Sequence, residues 1–165
     1  MFTQYVYILA EVNMNLENYK NNYSEILTFL NSLSTDQINF KPAKDKWSIH
    51  EIITHLADTE IQSHVRFRTI LANKDPQMPY FDEMDWSIIL DYTKVNLNES
   101  LEVINLMRTV NYNLLSRLPS DYFDKKGRHS KHGEISLKDM VEFYIQHVNT
   151  HLNQLKRNLS LLKAY

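Results

Sequence analysis

The residues that most strongly interrupt regular backbone, Pro42, Pro76, Pro79, Pro119, Gly127 and Gly133, all fall between stretches whose apolar side chains recur at helical spacing. With only two glycines and four prolines in 165 residues, what remains is long and unbroken, and it predicts four helices. The first covers about Leu16 to Leu33, with Tyr23, Ile26, Leu27, Leu30 and Leu33 as its stripe; residues 1–15 are expected to be a frayed extension. The second opens at Ser48, where Glu51 completes a capping box and Trp47 and Ile52 form a hydrophobic staple. It runs to about Ala72 with Ile49, Ile52, Ile53, Leu56, Ser63, Phe67, Ile70 and Leu71 inward.

The third helix spans about Lys94 to Leu118, using Leu97, Leu101, Ile104, Met107, Leu114, Leu115 and Leu118, and Pro119 stops it. The fourth begins at Ser136, with Asp139 as its acidic partner and Ile135 and Met140 as the staple, and continues to about Leu162. Its stripe reads Leu137, Met140, Val141, Tyr144, Val148, Leu152, Leu155, Leu159 and Leu162. The link from Asn73 to about Thr93 is too long for a tight hairpin and suits a crossover along a bundle. The expected fold is one all-α domain over residues 1–165, a four-helix bundle with a long crossover between helices two and three.

Composition narrows the partners. A formal net charge of −2 with interspersed acids and bases lacks the basic stripe that nucleic acids or anionic membranes require, so a small molecule is the expected partner. With no cysteine, any metal must be held by nitrogen and oxygen. The N-terminal Met1-Phe-Thr-Gln-Tyr-Val-Tyr-Ile-Leu-Ala10 carries no basic leader, and its apolar run is too short for a secretory or spanning segment. The expected location is cytoplasmic.

Three histidines stand among apolar stripe positions: His55 on the second helix, and His147 and His151 one turn apart on the fourth. A four-residue step puts two Cβ atoms about 5–6 Å apart on one face, close enough for both rings to reach one ion. The bland reading is that each is a hydrogen-bonded core residue. Against it, neutral imidazole has one donor and one acceptor, so three such rings in an apolar core need several partners, whereas one divalent cation satisfies three nitrogens together. Three protein ligands with a vacant fourth position suit catalytic zinc, with water or a substrate thiol in the vacancy. A bis-histidine haem bundle would need opposed ligands and a flat cavity.

Ligating imidazoles normally donate their other N–H onward, which makes Asp58, three beyond His55, and Gln154, three beyond His151, the expected outer partners. Tyr144, three before His147, is a further orienting or pocket candidate, with plain packing as the alternative. His50 and His64 lie off the His55 face and are expected to meet solvent. His129 and His132 belong to Gly127-Arg-His-Ser-Lys-His-Gly133, expected to be a solvated loop at a bundle end. Arg66 and Arg68 could recognise an anion near the cleft, but being two apart on a helix, at most one faces it. Glu51 is committed to its cap, and no inward glutamate has an evident general-base role, so the catalytic residues stay unassigned.

Four blocks carry a family resemblance: Lys46-Trp-Ser-Ile-His-Glu-Ile-Ile-Thr-His-Leu-Ala-Asp-Thr-Glu60, Arg66-Phe-Arg68, Pro79-Tyr-Phe-Asp-Glu-Met-Asp-Trp86, and His132-Gly-Glu-Ile-Ser-Leu137 with His147-Val-Asn-Thr-His-Leu-Asn-Gln154. From about Phe40 to Leu159 the chain resembles the DinB/YfiT-like superfamily of metal-binding four-helix bundles. The resemblance implies a zinc or nickel ion on a histidine triad that maps onto His55, His147 and His151, and often a homodimer. Some members are thiol S-transferases that join bacillithiol or a comparable small thiol to electrophiles; others are taken as hydrolases. In the transferase branch extra histidines often adjoin the last pair, where this chain has Thr150 and Gln154. The leading expectation is a metal-dependent thiol transferase acting on a small-molecule thiol and an electrophile. The alternatives are a hydrolase using metal-activated water and a non-catalytic, stress-associated metal-binding bundle.

Overall fold

The computed structural model describes residues 2–162, with side chains described from Leu16 onward. Four long helices form the body: α1 Phe2–Leu30, α3 Ile49–Ala72, α5 Leu97–Leu115 and α6 Leu137–Leu162, with the short α2 Thr35–Asn39 and α4 Glu83–Ile89 between them. The expected frayed extension over residues 1–15 lies outside the described side chains. In the bundle α1 packs on α5 and α6, and α3 packs on the same two. The long helices therefore run in the circular order α1, α5, α3, α6, so the consecutive long helices α3 and α5 lie side by side while α1 and α3, and α5 and α6, lie across the diagonals. No helix among the described residues is long and apolar enough to cross a membrane.

Local sequence sets the helix ends. Ser48 caps α3: its Oγ accepts from the Glu51 N–H at 3.2 Å while the Ser48 N–H donates to Glu51 Oε2 at 2.8 Å. Ser136 accepts from the Asp139 N–H at 3.1 Å and starts α6 at Leu137. Two expected boundaries move because of unread caps. Ser34 with Gln37 forms a second capping box, so α1 ends at Leu30 and α2 starts afresh. Asn96 accepts from the Asn98 and Glu99 N–H groups, so α5 starts at Leu97 and Lys94 lies in a 3-10 turn.

The crossover is structured as well as long. Gln77–Met78 forms β1, which pairs in parallel with β2, Lys126–His129, and β2 pairs antiparallel with β3, Gly133–Ser136. The expected solvated loop is thus a β-hairpin. Its turn closes with Gly133 at φ +74°, a left-handed conformation that favours glycine. Gly127 lies against α3 and β1, where a Cβ would sit 3.0 Å from Ile70 and from Met78. This small sheet was not expected, but the helical bundle class holds.

Two apolar clusters fill the bundle. One joins Leu16, Phe67, Ile70, Leu115, Leu137, Met140 and Tyr144; the other joins Ile26, Ile49, Ile52, Ile53, Leu56, Ile104, Val148, Leu152 and Leu155. Burying each such side chain is worth about 1.5–3 kcal/mol. Between the clusters along α3 lies a polar layer that the stripe pattern did not reveal. Arg108 and Glu60, each 1% exposed, pair at 2.7 Å. Arg108 also donates to the Tyr19 and Tyr144 carbonyls, Tyr19 Oη donates to Glu60 at 2.8 Å, and Asn111 donates to Tyr19 Oη and to Ser63. These contacts tie all four long helices together at one level.

Candidate metal centre

His55 is wholly buried, seven residues into the capped α3, while His147 and His151 sit one turn apart on α6 facing it. The three rings converge. His147 Nε2 stands 3.2 Å from His55 Nε2 and 3.2 Å from His151 Nε2, and one nitrogen from each ring falls within 4.8 Å of the others. The Trp47 ring packs 4.9 Å from the His55 ring, and Phe143 stacks on His147 with centroids 5.9 Å apart.

Proton bookkeeping decides what such a cluster fits. Burial, then the neighbouring rings, pushes His55 down to about 2 and burial with His151 pushes His147 to about 3, so both are neutral. Burial lowers His151 too, partly offset by its hydrogen bond to Gln154. His151 Nδ1 donates to Gln154 Oε1 at 2.9 Å, which leaves its Nε2 as a lone pair. His147 Nε2 can then donate to His151 or accept from His55, but not both. At least one of the two short N···N contacts is therefore left without a hydrogen bond unless a cation stands between the rings. A divalent ion accepts all three, so the donor set fits nitrogen coordination. The His55 and His147 Nδ1 atoms are buried with no partner among the described residues.

Sequence reasoning missed an acid beside the cluster. Glu83 Oε2 lies 3.7 Å from His55 Nε2, and no other carboxylate among the described residues comes as near to the three nitrogens. Since burial keeps His55 neutral, this is a carboxylate beside an imidazole and not an ion pair. Two links bring Glu83 there. Asp82 accepts from the Met84 and Asp85 N–H groups and so starts α4 at Glu83, and the Trp47 indole N–H donates to Ser87 Oγ at 3.2 Å, docking α4 beside His55. The signal was legible as an Asp cap inside the crossover, but which helix α4 docks on is a tertiary fact.

The other expected site residues divide. Gln154 meets His151 as described. Asp58 does not reach His55: its Oδ2 accepts from Tyr92 Oη at 2.5 Å, because the turn Tyr92–Lys94 packs against α3 and offers a nearer donor. Burial raises the Asp58 carboxyl and raises the Tyr92 hydroxyl. Tyr144 Oη accepts from Arg66 at 3.0 Å and hydrogen-bonds to none of the three histidines, although it lines the same cleft as His147. Of the two arginines only Arg66 faces the cleft; Arg68 donates to Asn111 and to the His64 carbonyl.

His50 is half-buried and bridges Asn39 and the Val95 carbonyl, and His64 is half-buried, so both meet solvent only in part. His129 is 4% exposed, because the hairpin folds it inward, and its Nδ1 accepts from the Lys131 and His132 N–H groups. Burial, then Arg66, pushes it down to about 4. His129, His132, Arg66, Glu83, Tyr144 and His147 all line one cleft of about 210 Å³.

The sequence pattern of the DinB superfamily matches residues 18–155, which include all three histidines. Two proteins of Oceanobacillus iheyensis are similar, both described as "putative metal-dependent hydrolase": one is 27% identical over 88% of this chain and 82% of its own length, the other 24% identical over 73% and 69%. Among solved structures, YfiT from Bacillus subtilis, described as "a probable metal-dependent hydrolase with an unusual four-helix bundle topology", superposes with a TM-score of 0.82. It covers 90% of this chain and 87% of its own at 20% identity, a likeness of fold.

Proposed function

Because this chain belongs to the DinB superfamily, we propose that it is a metal-dependent hydrolase that cleaves an ester or amide of a small molecule at the His55, His147 and His151 centre. The observation that carries the reading is the short contacts among three neutral imidazole nitrogens beside a carboxylate. The description of the Oceanobacillus relatives supports it. A divalent ion on the triad supplies Lewis acidity and makes water acidic enough to act as a nucleophile near neutral pH. Zinc and nickel both suit an all-imidazole set.

Around that centre, Glu83 takes the proton that water loses as it adds to the acyl carbon. It returns the proton to the departing alcohol or amine, so one water is consumed and an acid is released. Trp47 and Phe143 exclude bulk water from two sides of the rings. Gln154 fixes the His151 tautomer.

Thiol transfer is the second reading, and the basic rim of the cleft, Arg66 and Lys131, favours it by suiting a carboxylate-bearing thiol. There Glu83 takes the thiol proton, a carbon–sulfur bond forms and the electrophile's leaving group departs. Product masses separate the two: hydrolysis adds the elements of water across the cleaved bond, whereas transfer yields a thioether that carries the thiol in place of the leaving group, with the thiol proton lost to that group. Metal-loaded protein incubated with ester and amide panels, with and without a small thiol, is expected to give hydrolysis products that His151→Ala abolishes. Thiol conjugates alone would overturn the hydrolase reading, and metal uptake with neither product would leave a non-catalytic binder. A homodimer, expected from the resemblance alone, is proposed on the same footing and tested by light scattering.

A further inference from the structure

Arg66 is 6% exposed and forms no ion pair among the described residues. Its guanidinium donates to Tyr144 Oη at 3.0 Å and to the Pro79 carbonyl at 3.0 Å, both uncharged, and its Nε has no partner. Two of five N–H donors are thus engaged and the charge is uncompensated. A guanidinium held out of water with no counter-ion is costly, which contrasts with Arg108, where Glu60 neutralises an equally buried charge. What sets Arg66 apart is its place on the wall of the cleft that also holds His147 and Glu83.

The cleft lining carries two cationic side chains, Arg66 and Lys131, and one acid, Glu83, which stands beside His55 and forms no ion pair with Arg66. Lys131 lies at the exposed rim with its Nζ 4.4 Å from the Tyr80 ring centroid, and Arg66 sits 5.8 Å from the Phe81 ring. His129 and His132 complete that side. Along α3, Arg66 follows His55 by eleven residues, about three turns, so both lie on one helix face. The two backbone positions are about 16 Å apart along α3, but Arg66 reaches Tyr144, one turn before His147 on α6, and Arg66 and His147 line the same cleft, so an anionic group against Arg66 and a reacting bond beside His147 can belong to one molecule.

We infer that Arg66, with Lys131 at the rim, forms a subsite for the oxyanion of a small carboxylate-bearing substrate, next to the three-histidine centre. A planar guanidinium with free donors matches a carboxylate or phosphate oxygen pair, and Tyr80 and Phe81 give the apolar part of the ligand a surface. In naming a substrate class the inference rests on the proposed hydrolysis, but binding at the subsite is read without turnover.

The experiment titrates glutarate, inorganic phosphate and the neutral diamide of glutarate into chelator-treated full-length protein by calorimetry, so that no metal contributes to binding. Saturable glutarate binding is expected, weakened about tenfold or more by Arg66→Met and a few-fold by Lys131→Met, with no binding of the diamide. Phosphate binding as tight as or tighter than glutarate would overturn the carboxylate assignment. No saturable anion binding, or equal affinities in wild type and both variants, would overturn the subsite. If Arg66→Met does not fold by circular dichroism, the exposed Lys131→Met decides: an affinity equal to wild type overturns the inference. Failure of the hydrolysis reading appears separately, as anion binding with no acyl cleavage in metal-loaded protein.

Discussion

His55 Nε2 and His147 Nε2 stand 3.2 Å apart across the gap between α3 and α6. They come from segments separated by 92 positions, and neither ring carries charge there, because burial lowers both far below the usual imidazole range. Two buried neutral rings gain little from such an approach on their own, so the fold that enforces it serves something placed between them.

Replacing Glu83 separates chemistry from metal holding. Glu83→Gln keeps the side chain's size and removes its ability to take a proton. Acyl cleavage is expected to fall by about 10²- to 10⁴-fold while metal content stays at the wild-type level. Steady-state kinetics with metal analysis of the same sample checks this, and unchanged turnover would remove Glu83 from the mechanism.

The Arg108–Glu60 pair predicts a large stability effect. Arg108→Met leaves a buried carboxylate with only Tyr19 and Ser63 as neighbours, and is expected to cost about 3–5 kcal/mol. Urea unfolding measures it, and Glu60→Gln combined with Arg108→Met should recover part of the loss. A cost below about 1 kcal/mol, the range of an exposed pair, would contradict the structure.

These residues also mark where sequence reading stops. The four stripes, the Ser48 and Ser136 starts and the inward histidines were legible because each depends on spacing within one segment. Arg108 was not: a charged residue among Ile104, Met107 and Leu115 reads as solvated until Glu60 is seen opposite it. His129 was misread because Gly133 looked like loop chemistry, whereas it closes a hairpin whose other face packs on α3. Asp58 was assigned to His55 by helical spacing, and Tyr92, from the crossover, took it instead.

Acid should destabilise the metal-free protein. Burial first, then the neighbouring rings, holds His55 near 2 and His147 near 3, whereas in the unfolded chain each titrates near 6.5. Below about pH 6.5 the unfolded chain therefore binds more protons, and stability falls as pH falls, by up to about 1.4 kcal/mol per pH unit for each histidine. Above that pH the contribution is flat. Asp58, raised by burial, acts in the opposite sense, so the comparison is wild type against His147→Leu. Urea midpoints at pH 7.5 and 5 are expected to drop more in the wild type; equal drops would contradict neutral buried imidazoles.

The central claim is that one cation joins His55, His147 and His151. Elemental analysis of protein purified without a histidine tag, beside His55→Ala, His147→Ala and His151→Ala variants, tests it most directly. The account predicts about one divalent ion per wild-type chain and loss of stoichiometric metal in each variant whose helical circular dichroism is retained. Wild-type protein that takes up no metal when zinc or nickel is supplied, or folded variants that all keep the wild-type content, would contradict it.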